Sequence, residues 1–301
     1  MAFLQQPSVL ILLFIIGIIV KYFQILPKDT ARQINKFILN VPLPALVLVK
    51  IPFLEMSKEV VFPIASAWIV FLGSVIFAYF ICKYFKYDKK TMACIILSCG
   101  LGNTSFVGYP VLEYFYGGES IRYAILVDQP GSFLLLSTFG ILIATSFSSN
   151  GFNWKSILLR LIKFPPFLIF IFALFVPKQF ISGFTFDALT FLGAWMIPLA
   201  ILSLGMQFKF NLKEIPWKKL NIGLSYKLII APLFIYILYV VILGKEGQIF
   251  TVSVMESAMP PMITSSLLAH EYDLDADLAN AFPTIGILCS IPTLLLWKFI
   301  L

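Results

Sequence analysis

The sequence predicts an all-α integral membrane protein of ten transmembrane helices, arranged as two inverted halves of five. Three observations predict it. Of 301 residues, 60% are apolar and only 12% charged, with a mean hydropathy of +0.95. An average soluble domain carries roughly 25% charged residues, so too few remain here to cover a water-facing surface. Apolar stretches of about 20 residues, the length that crosses a bilayer, recur along the whole chain. Finally, the two halves match one another, and each carries a polar, Gly- and Pro-containing interruption at a corresponding place. A cytoplasmic enzyme, a nucleic-acid binder and a disordered scaffold are excluded by the composition alone.

The first span is Ser8–Phe23. No Lys or Arg leads it and no small-x-small cleavage site follows, so it reads as a membrane helix and not as a signal peptide. Nine more fall near 32–51, 60–82, 91–113, 120–145, 156–176, 186–207, 220–243, 248–269 and 277–300. Basic residues separate the loops into two sets. Lys21, Lys28, Arg32 and Lys36 follow span 1, and Lys83, Lys86, Lys89 and Lys90 follow span 3. Lys155, Arg160 and Lys163 follow span 5, and Lys209, Lys213, Lys218 and Lys219 follow span 7. The alternate loops hold only Lys50, Lys58, Arg122, Lys178 and Lys245. The positive-inside rule then places the first set in the cytoplasm and both termini on the outer side of the cell (plasma or inner) membrane. One loop resists, because Glu271, Asp273, Asp275 and Asp277 make the link between spans 9 and 10 acidic; acidic residues carry little weight in that rule. The net charge of +7 is thus a topology signal. Cys82, Cys94, Cys99 and Cys289 lie in apolar segments without paired spacing and read as small buried hydrophobes.

The two halves meet at Ser148-Ser149-Asn150-Gly151, the one linker-like stretch, giving repeats at 1–147 and 152–301. At an offset of 154 residues Pro198 in Ile197-Pro198-Leu199 overlays Pro44 in Leu43-Pro44-Ala45. Span 4 is broken by Gly102-Asn103-Thr104-Ser105-Phe106-Val107-Gly108-Tyr109-Pro110, and span 9 by Ser257-Ala258-Met259-Pro260-Pro261. Proline lacks the backbone donor and glycine admits non-helical dihedrals, so both segments leave the helix. With five spans per half, the second copy enters the membrane from the opposite side. Paired breaks in such inverted halves mark a transport site.

The polar residues at depth are few. Asn103, Thr104, Ser257 and Thr264, with Ser105 and Ser265 beside them, are the donors available to a substrate at the breaks. Asp128, about eight residues into span 5, and Glu256, just before the second break, are carboxylates at a depth where ionisable groups are costly and functional by default. Both are candidates for ion coupling. Glu113 reads as a solvated residue at the outer end of span 4, Arg122 as an outer-end residue of span 5, and Lys227 as an early residue of span 8 that snorkels to the cytoplasm. Without a buried cationic clamp, an anion would be held by half-helix N-termini and neutral donors. His270 reads as interfacial.

Gly102-Asn103 through Pro110 resembles the Gly-Asn-x-x-Phe-x-Gly-x-Pro crossover of the auxin efflux carrier family. Ala258-Met259-Pro260-Pro261 with Leu268-Ala269 resembles its second crossover, and Pro44-Ala45-Leu46 and Ile197-Pro198-Leu199 fit its second and seventh helices. The resemblance covers essentially the whole chain. It implies a ten-helix transporter with a scaffold domain (spans 1, 2, 6 and 7) and a crossover domain (spans 3–5 and 8–10) that moves small organic anions such as auxin, malate or malonate. Carried onto this chain, Asn103, Pro110 and Pro260 mark the crossovers and Asp128 matches an acidic position of bacterial relatives. Pro261 departs from the family's pattern, in which a small residue is frequent.

The sequence therefore points to a secondary carrier of small carboxylates, a permease working by alternating access in the lipid bilayer, with protons or sodium as candidate coupling ions and a second copy of the chain as a candidate partner. A sodium-coupled organic-anion symporter of the bile-acid type is the nearest rival. An intramembrane enzyme lacks a His-Glu-x-x-His pair and any Ser/His constellation, a nucleotide-driven pump lacks its phosphate-binding loop, and a receptor gives no reason for the repeat. No cofactor and no metal ligand set is expected.

Overall fold

The computed structural model describes residues 7–55, 57–147, 158, 161–208 and 215–301. The linker Ser148–Gly151, and Lys155, Arg160, Lys209 and Lys213 of the charge pattern, lie outside them. Among the described residues the secondary structure is helical throughout, save one isolated antiparallel bridge. Within the described residues, six helical stretches are long and apolar enough to cross a membrane: Thr30–Phe53, Lys58–Phe85, Ile121–Ser146, Gly183–Gln207, Trp217–Ile242 and Ala276–Ile300. The protein is an integral, multi-pass membrane protein.

Residues Pro7–Tyr22 form α1, and the stretch predicted as span 2 is two helices, α2 (Thr30–Asn40) and α3 (Pro42–Lys50). Its counterpart, span 7, is likewise two, α10 (Gly183–Gly193) and α11 (Met196–Gln207). The cause is the same in both: Pro44 cannot donate to the Asn40 carbonyl, nor Pro198 to that of Ala194, so the helix opens at Val41 and at Trp195. Span 3 is α4 (Val61–Phe85); α5 (Lys89–Gly100) and α6 (Tyr109–Tyr116) flank the first break. Then come α7 (Ile121–Val127), α8 (Ile141–Ser146), α9 (Pro165–Ala173), α12 (Trp217–Ser225) and α13 (Ala231–Tyr236). Helices α14 (Gln248–Ser257) and α15 (Ile263–Glu271) flank the second break, and α16 (Ala276–Ile300) closes the chain.

The chain divides into two compact units. The first comprises Met1–Ser57, Ser105–Ile125 and Ile162–Phe210. Its tightest contact is α1 on α11, where two glycines let the backbones touch. A Cβ on Gly17 would lie 2.3 Å from the Leu202 carbonyl oxygen, and one on Gly205 2.2 Å from that of Phe14, the close approach small residues provide between membrane helices. Helix α3 packs against α9 and α10. The second unit comprises Lys58–Thr104, Leu126–Leu161 and Asn211–Leu301. Here α4 packs on α5 and α14, and long side chains donate to backbone carbonyls of neighbouring helices. Pro232 cannot donate to Leu228, whose carbonyl instead accepts from the Trp297 indole N–H at 3.1 Å. The Tyr226 hydroxyl donates to the Val70 carbonyl at 2.7 Å and that of Tyr239 to Phe62 at 2.9 Å.

The acidic loop before α16 has its charges met within the same unit. Lys90 reaches Asp273 at 2.5 Å and Lys219 reaches Asp275 at 2.9 Å. Asp275 is also the N-cap of α16, accepting from the Leu278 amide at 3.2 Å, and takes a hydrogen bond from the Thr91 hydroxyl at 2.7 Å. The loop that resisted the positive-inside rule thus shares one end of the unit with basic residues of the loop after span 3. Two expectations are corrected. Cys289 is exposed while Cys82, Cys94 and Cys99 are buried, because Cys289 falls on the outward face of α16. Glu113 is half-buried and lines a cavity with Lys50, because α6 packs back onto α11.

Burial works to raise the Asp275 carboxyl, but the hydrogen bonds from Lys219, Thr91 and Leu278 overcome it and hold the group below the usual carboxylate range. A carboxyl lowered in the folded state stabilises above its unfolded pKa, and the contribution is lost as pH falls through the folded one. Asp275→Asn is therefore expected to cost about 1–2 kcal/mol at neutral pH. The gap from wild type should close as pH drops below the carboxylate range, read as the thermal midpoint of purified protein against pH.

Candidate functional site

Helix α5 ends at Gly100, and Leu101 leaves it in an extended conformation (φ −114°, ψ 108°). The chain resumes as a π-helical turn, Thr104–Gly108, before α6. Helix α14 ends at Ser257, and Met262 enters α15 extended (φ −69°, ψ 137°). Between these ends the two breaks run antiparallel and bond to each other. The Asn103 amide donates to the Pro260 carbonyl at 2.8 Å, and the Met262 amide to the Leu101 carbonyl at 3.0 Å, framing the bridge between Gly102 and Pro261. Irregular backbone at bilayer depth persists only where protein or water satisfies it; here each break satisfies the other. Pro260 and Pro261 fit because neither brings an N–H that would need a partner. Gly286 makes room for the second proline: a Cβ there would sit 2.7 Å from Pro261 Cδ.

Among the described residues, three acidic or basic side chains are buried around this bridge: Asp128 at 4% exposure, Lys227 at 1% and Glu256 at 1%. Asp128 opens a π-helical turn, Asp128–Phe133, in which Pro130 cannot donate to Leu126. It accepts from the Thr104 hydroxyl at 2.5 Å and from the Gln129 side-chain amide at 2.7 Å. Lys227 lies on a second π-helical turn, Tyr226–Ile230, and donates to the Ser257 carbonyl at 3.0 Å. Glu256 is within electrostatic reach of Asp128 and Lys227, and neither of its oxygens has a hydrogen-bond partner among the described residues. Helix irregularities of the π type gather at functional sites.

Gly100, Gly102, Thr104, Lys227, Glu256 and Ser257 share the wall of a cavity of about 10 Å³, at the lower limit of what holds one water. Small-molecule sites run to about 300–1,000 Å³, well above the volume of this cavity. The larger cavity, 470 Å³, lies in the other unit among Leu46, Phe186, Phe191 and Ile197, with Lys50, Glu113 and Asp187 in its wall. It is mostly apolar, and neither break contributes to it.

Of the residues singled out from sequence, Gly102, Asn103, Thr104, Ser257, Pro260, Pro261, Asp128 and Glu256 are all buried and meet at or beside the bridge. Gly108 and Pro110 lie further along, at the end of the π-helical turn and at the second position of α6. Thr264 is exposed, while Ser265, the next residue, is buried and donates to the Met262 carbonyl at 2.6 Å. Lys227 corrects an expectation outright. It does not snorkel: its ammonium is fully buried on the end of α14. The signal was present, since Lys227 lies as deep in its predicted span as Asp128 does in its own, and the depth argument applies equally to both. Gln129, which donates to Asp128, carries no signal in the sequence beyond standing next to it.

Two broken helices joined backbone to backbone inside a multi-pass helical protein define a membrane transporter. The chain belongs to the membrane transport protein family, that of the auxin efflux carriers, whose description matches residues 7–155 and 152–298. It is 28% identical over 98% of its length to an uncharacterized transporter of Methanothermobacter thermautotrophicus, covering 96% of that protein. It is 27% identical over 97% of its length to an uncharacterized transporter of Methanocaldococcus jannaschii, covering 97% of it. With auxin efflux carrier component 6 of Arabidopsis thaliana it shares 27% identity over 42% of this chain and 22% of that protein. Family and relatives are transporters, not enzymes.

The Thr104–Asp128 hydrogen bond ties the restart of the first broken helix to span 5. In a double-mutant cycle of Thr104→Val and Asp128→Asn, read by thermal or denaturant unfolding of detergent-purified protein, a coupling of about 1–3 kcal/mol is expected. Additive losses would show that the bond does not form.

Proposed function

We propose that the protein is a secondary carrier of small organic anions, carboxylates of the malate, malonate or auxin type, working by alternating access where its two broken helices meet. The observation that carries this reading is the Gly102–Pro261 bridge. It brings the restarts of both broken helices, at Thr104 and at Ile263, to one place. A restarting helix presents unpaired N–H groups and the positive end of its dipole, and in carriers of this design such ends face the anionic group of the substrate. Asn103, whose backbone N–H bonds to the opposite break, is the residue whose side-chain amide we assign to substrate, with Thr264 as a further donor. Thr104 and Ser257, whose hydroxyls here donate to Asp128 and to the Ser253 carbonyl, join them by turning to the substrate. Asp128 and Glu256 are the candidates for coupling. On this reading the cavity beside the bridge, about 10 Å³, widens for an anion to enter.

The ten-span, five-plus-five reading is supported by paired features. The helix openings at Val41 and Trp195 are 154 residues apart, the offset at which Pro198 overlays Pro44. Packing is reciprocal: α1 of span 1 meets α11 of span 7, and α9 of span 6 meets α3 of span 2. In the second unit α4 of span 3 meets α14 of span 9, and α12 of span 8 meets α5 of span 4. The gathering of spans 1, 2, 6 and 7 in one compact unit supports their reading as scaffold, with spans 3–5 and 8–10 as the transport part; residues Ser105–Ile125 cluster with the first unit. The ion pairs of the acidic loop with Lys90 and Lys219 support a cytoplasmic position for that loop, and so termini on the outer side.

A ligand that binds the folded protein raises its apparent stability by mass action. A thermal-shift panel of mono- and dicarboxylates on purified protein, at two pH values and with or without sodium, is expected to show a raised midpoint for at least one of them. Asn103→Ala should abolish that shift while leaving the unliganded midpoint within a few degrees of wild type. A panel without any response would sink the carrier reading, and a shift that Asn103→Ala preserves would remove Asn103 from the site.

A further inference from the structure

The resident charge at the bridge is a lysine, and its position has a chemical meaning. When a membrane helix is interrupted, its last carbonyls lose their intrahelical donors and the end carries about half a negative charge. In ion-driven carriers with broken helices, these unwound carbonyls and half-helix C-terminal ends are the oxygen ligands of the coupling cation. The C-terminal end of α14 is such a place. Its last carbonyl, that of Ser257, accepts from Lys227 Nζ at 3.0 Å. The ammonium lies against the other break as well: a Cβ on Gly102 would come within 3.0 Å of Nζ and 3.6 Å of the Glu256 carbonyl oxygen. A side chain at Gly102 would thus press on the ammonium. Glu256 adds a carboxylate next to Ser257 in sequence, within electrostatic reach of Lys227. A freed carbonyl, a carboxylate and a second break are the surroundings of a monovalent cation, and the side chain of Lys227 delivers one on a covalent tether.

We propose that Lys227 is a built-in substitute for the coupling cation, which makes carboxylate transport by this protein independent of sodium. The inference rests on the carrier reading above for its transport readout, and it decides between that reading and the sodium-coupled rival. A tethered ammonium neutralises the ends of the broken helices in every step of the cycle, so no free ion has to be bound or released there. A primary ammonium has three donors, of which Ser257 takes one, leaving others for Glu256 or for the substrate when the bridge opens. Removing the side chain beyond Cβ leaves a cation-sized space beside unneutralised oxygens, and a small free cation then has a site.

The test uses the full chain, wild type and Lys227→Ala, in choline, sodium or methylammonium chloride. Two quantities are read: carboxylate uptake into proteoliposomes and the thermal midpoint in detergent. For wild type, uptake is expected to agree within about twofold across the three salts, with the midpoint unchanged. For Lys227→Ala, uptake in choline should fall at least about tenfold, and sodium or methylammonium should restore it and raise the midpoint by about 3 °C. Lys227→Arg should remain indifferent to the salt. A wild-type sodium requirement overturns the proposal, as does a Lys227→Ala protein that behaves alike in all three salts. If Lys227→Ala folds in none of the salts while Lys227→Arg folds, the lysine is a helix cap alone, which also overturns it. If wild type moves no carboxylate, it is the carrier reading that fails, and the midpoints in the three salts still decide the role of Lys227.

Discussion

Backbone amides and carbonyls cannot be left unpaired in the hydrocarbon of a membrane, where each costs several kcal/mol. This constraint governs the centre of the molecule. Two helices stop at bilayer depth, and each would be unaffordable alone. Together they exchange two hydrogen bonds, from Asn103 to Pro260 and from Met262 to Leu101. The local sequence follows from that exchange. Glycine stands where a side chain would push the lysine away, prolines stand where no donor is wanted, and Gly286 on α16 opens the space that Pro261 fills.

The charges around the bridge answer the electrostatics the breaks create. Asp128 sits at the restart of one helix, where positive potential collects, and is held by Thr104 and Gln129. Lys227 sits at the end of the other, where negative potential collects, and is held by Ser257. Both ride on π-helical turns next to prolines, which turn the side chains inward without ending the span. Away from the bridge the same logic recurs more cheaply. The Leu228 carbonyl, which Pro232 leaves without a donor, is met by Trp297, while Tyr226 and Tyr239 reach carbonyls of α4, and the acidic loop before α16 is met by Lys90 and Lys219.

Much of this was legible in the chain because it rests on local chemistry. Gly102, Asn103, Pro260 and Pro261 announce the breaks through their own dihedrals and missing donors, and the 154-residue offset relates Pro44 to Pro198 without any knowledge of contacts. What escaped depends on partners far along the chain. Lys227 looks like a snorkelling residue until the carbonyl of Ser257 is placed beside it. Thr264 and Ser265 cannot be ranked from sequence, because one residue of uncertainty in where α15 restarts rotates the inward face by about 100°. The burial of Glu113 depends on how α6 packs, and the division of the chain at Ser105 depends on tertiary contacts that no periodicity encodes.

The pairing of the two breaks is the centre of the account, and amide hydrogen exchange of the purified wild-type protein reads it most directly. The Asn103 and Met262 amides are predicted to exchange as slowly as the interior of α5 and far more slowly than the Gly244–Gly247 turn. Exchange of either at the rate of that turn would mean that the breaks do not satisfy one another, and would contradict the account.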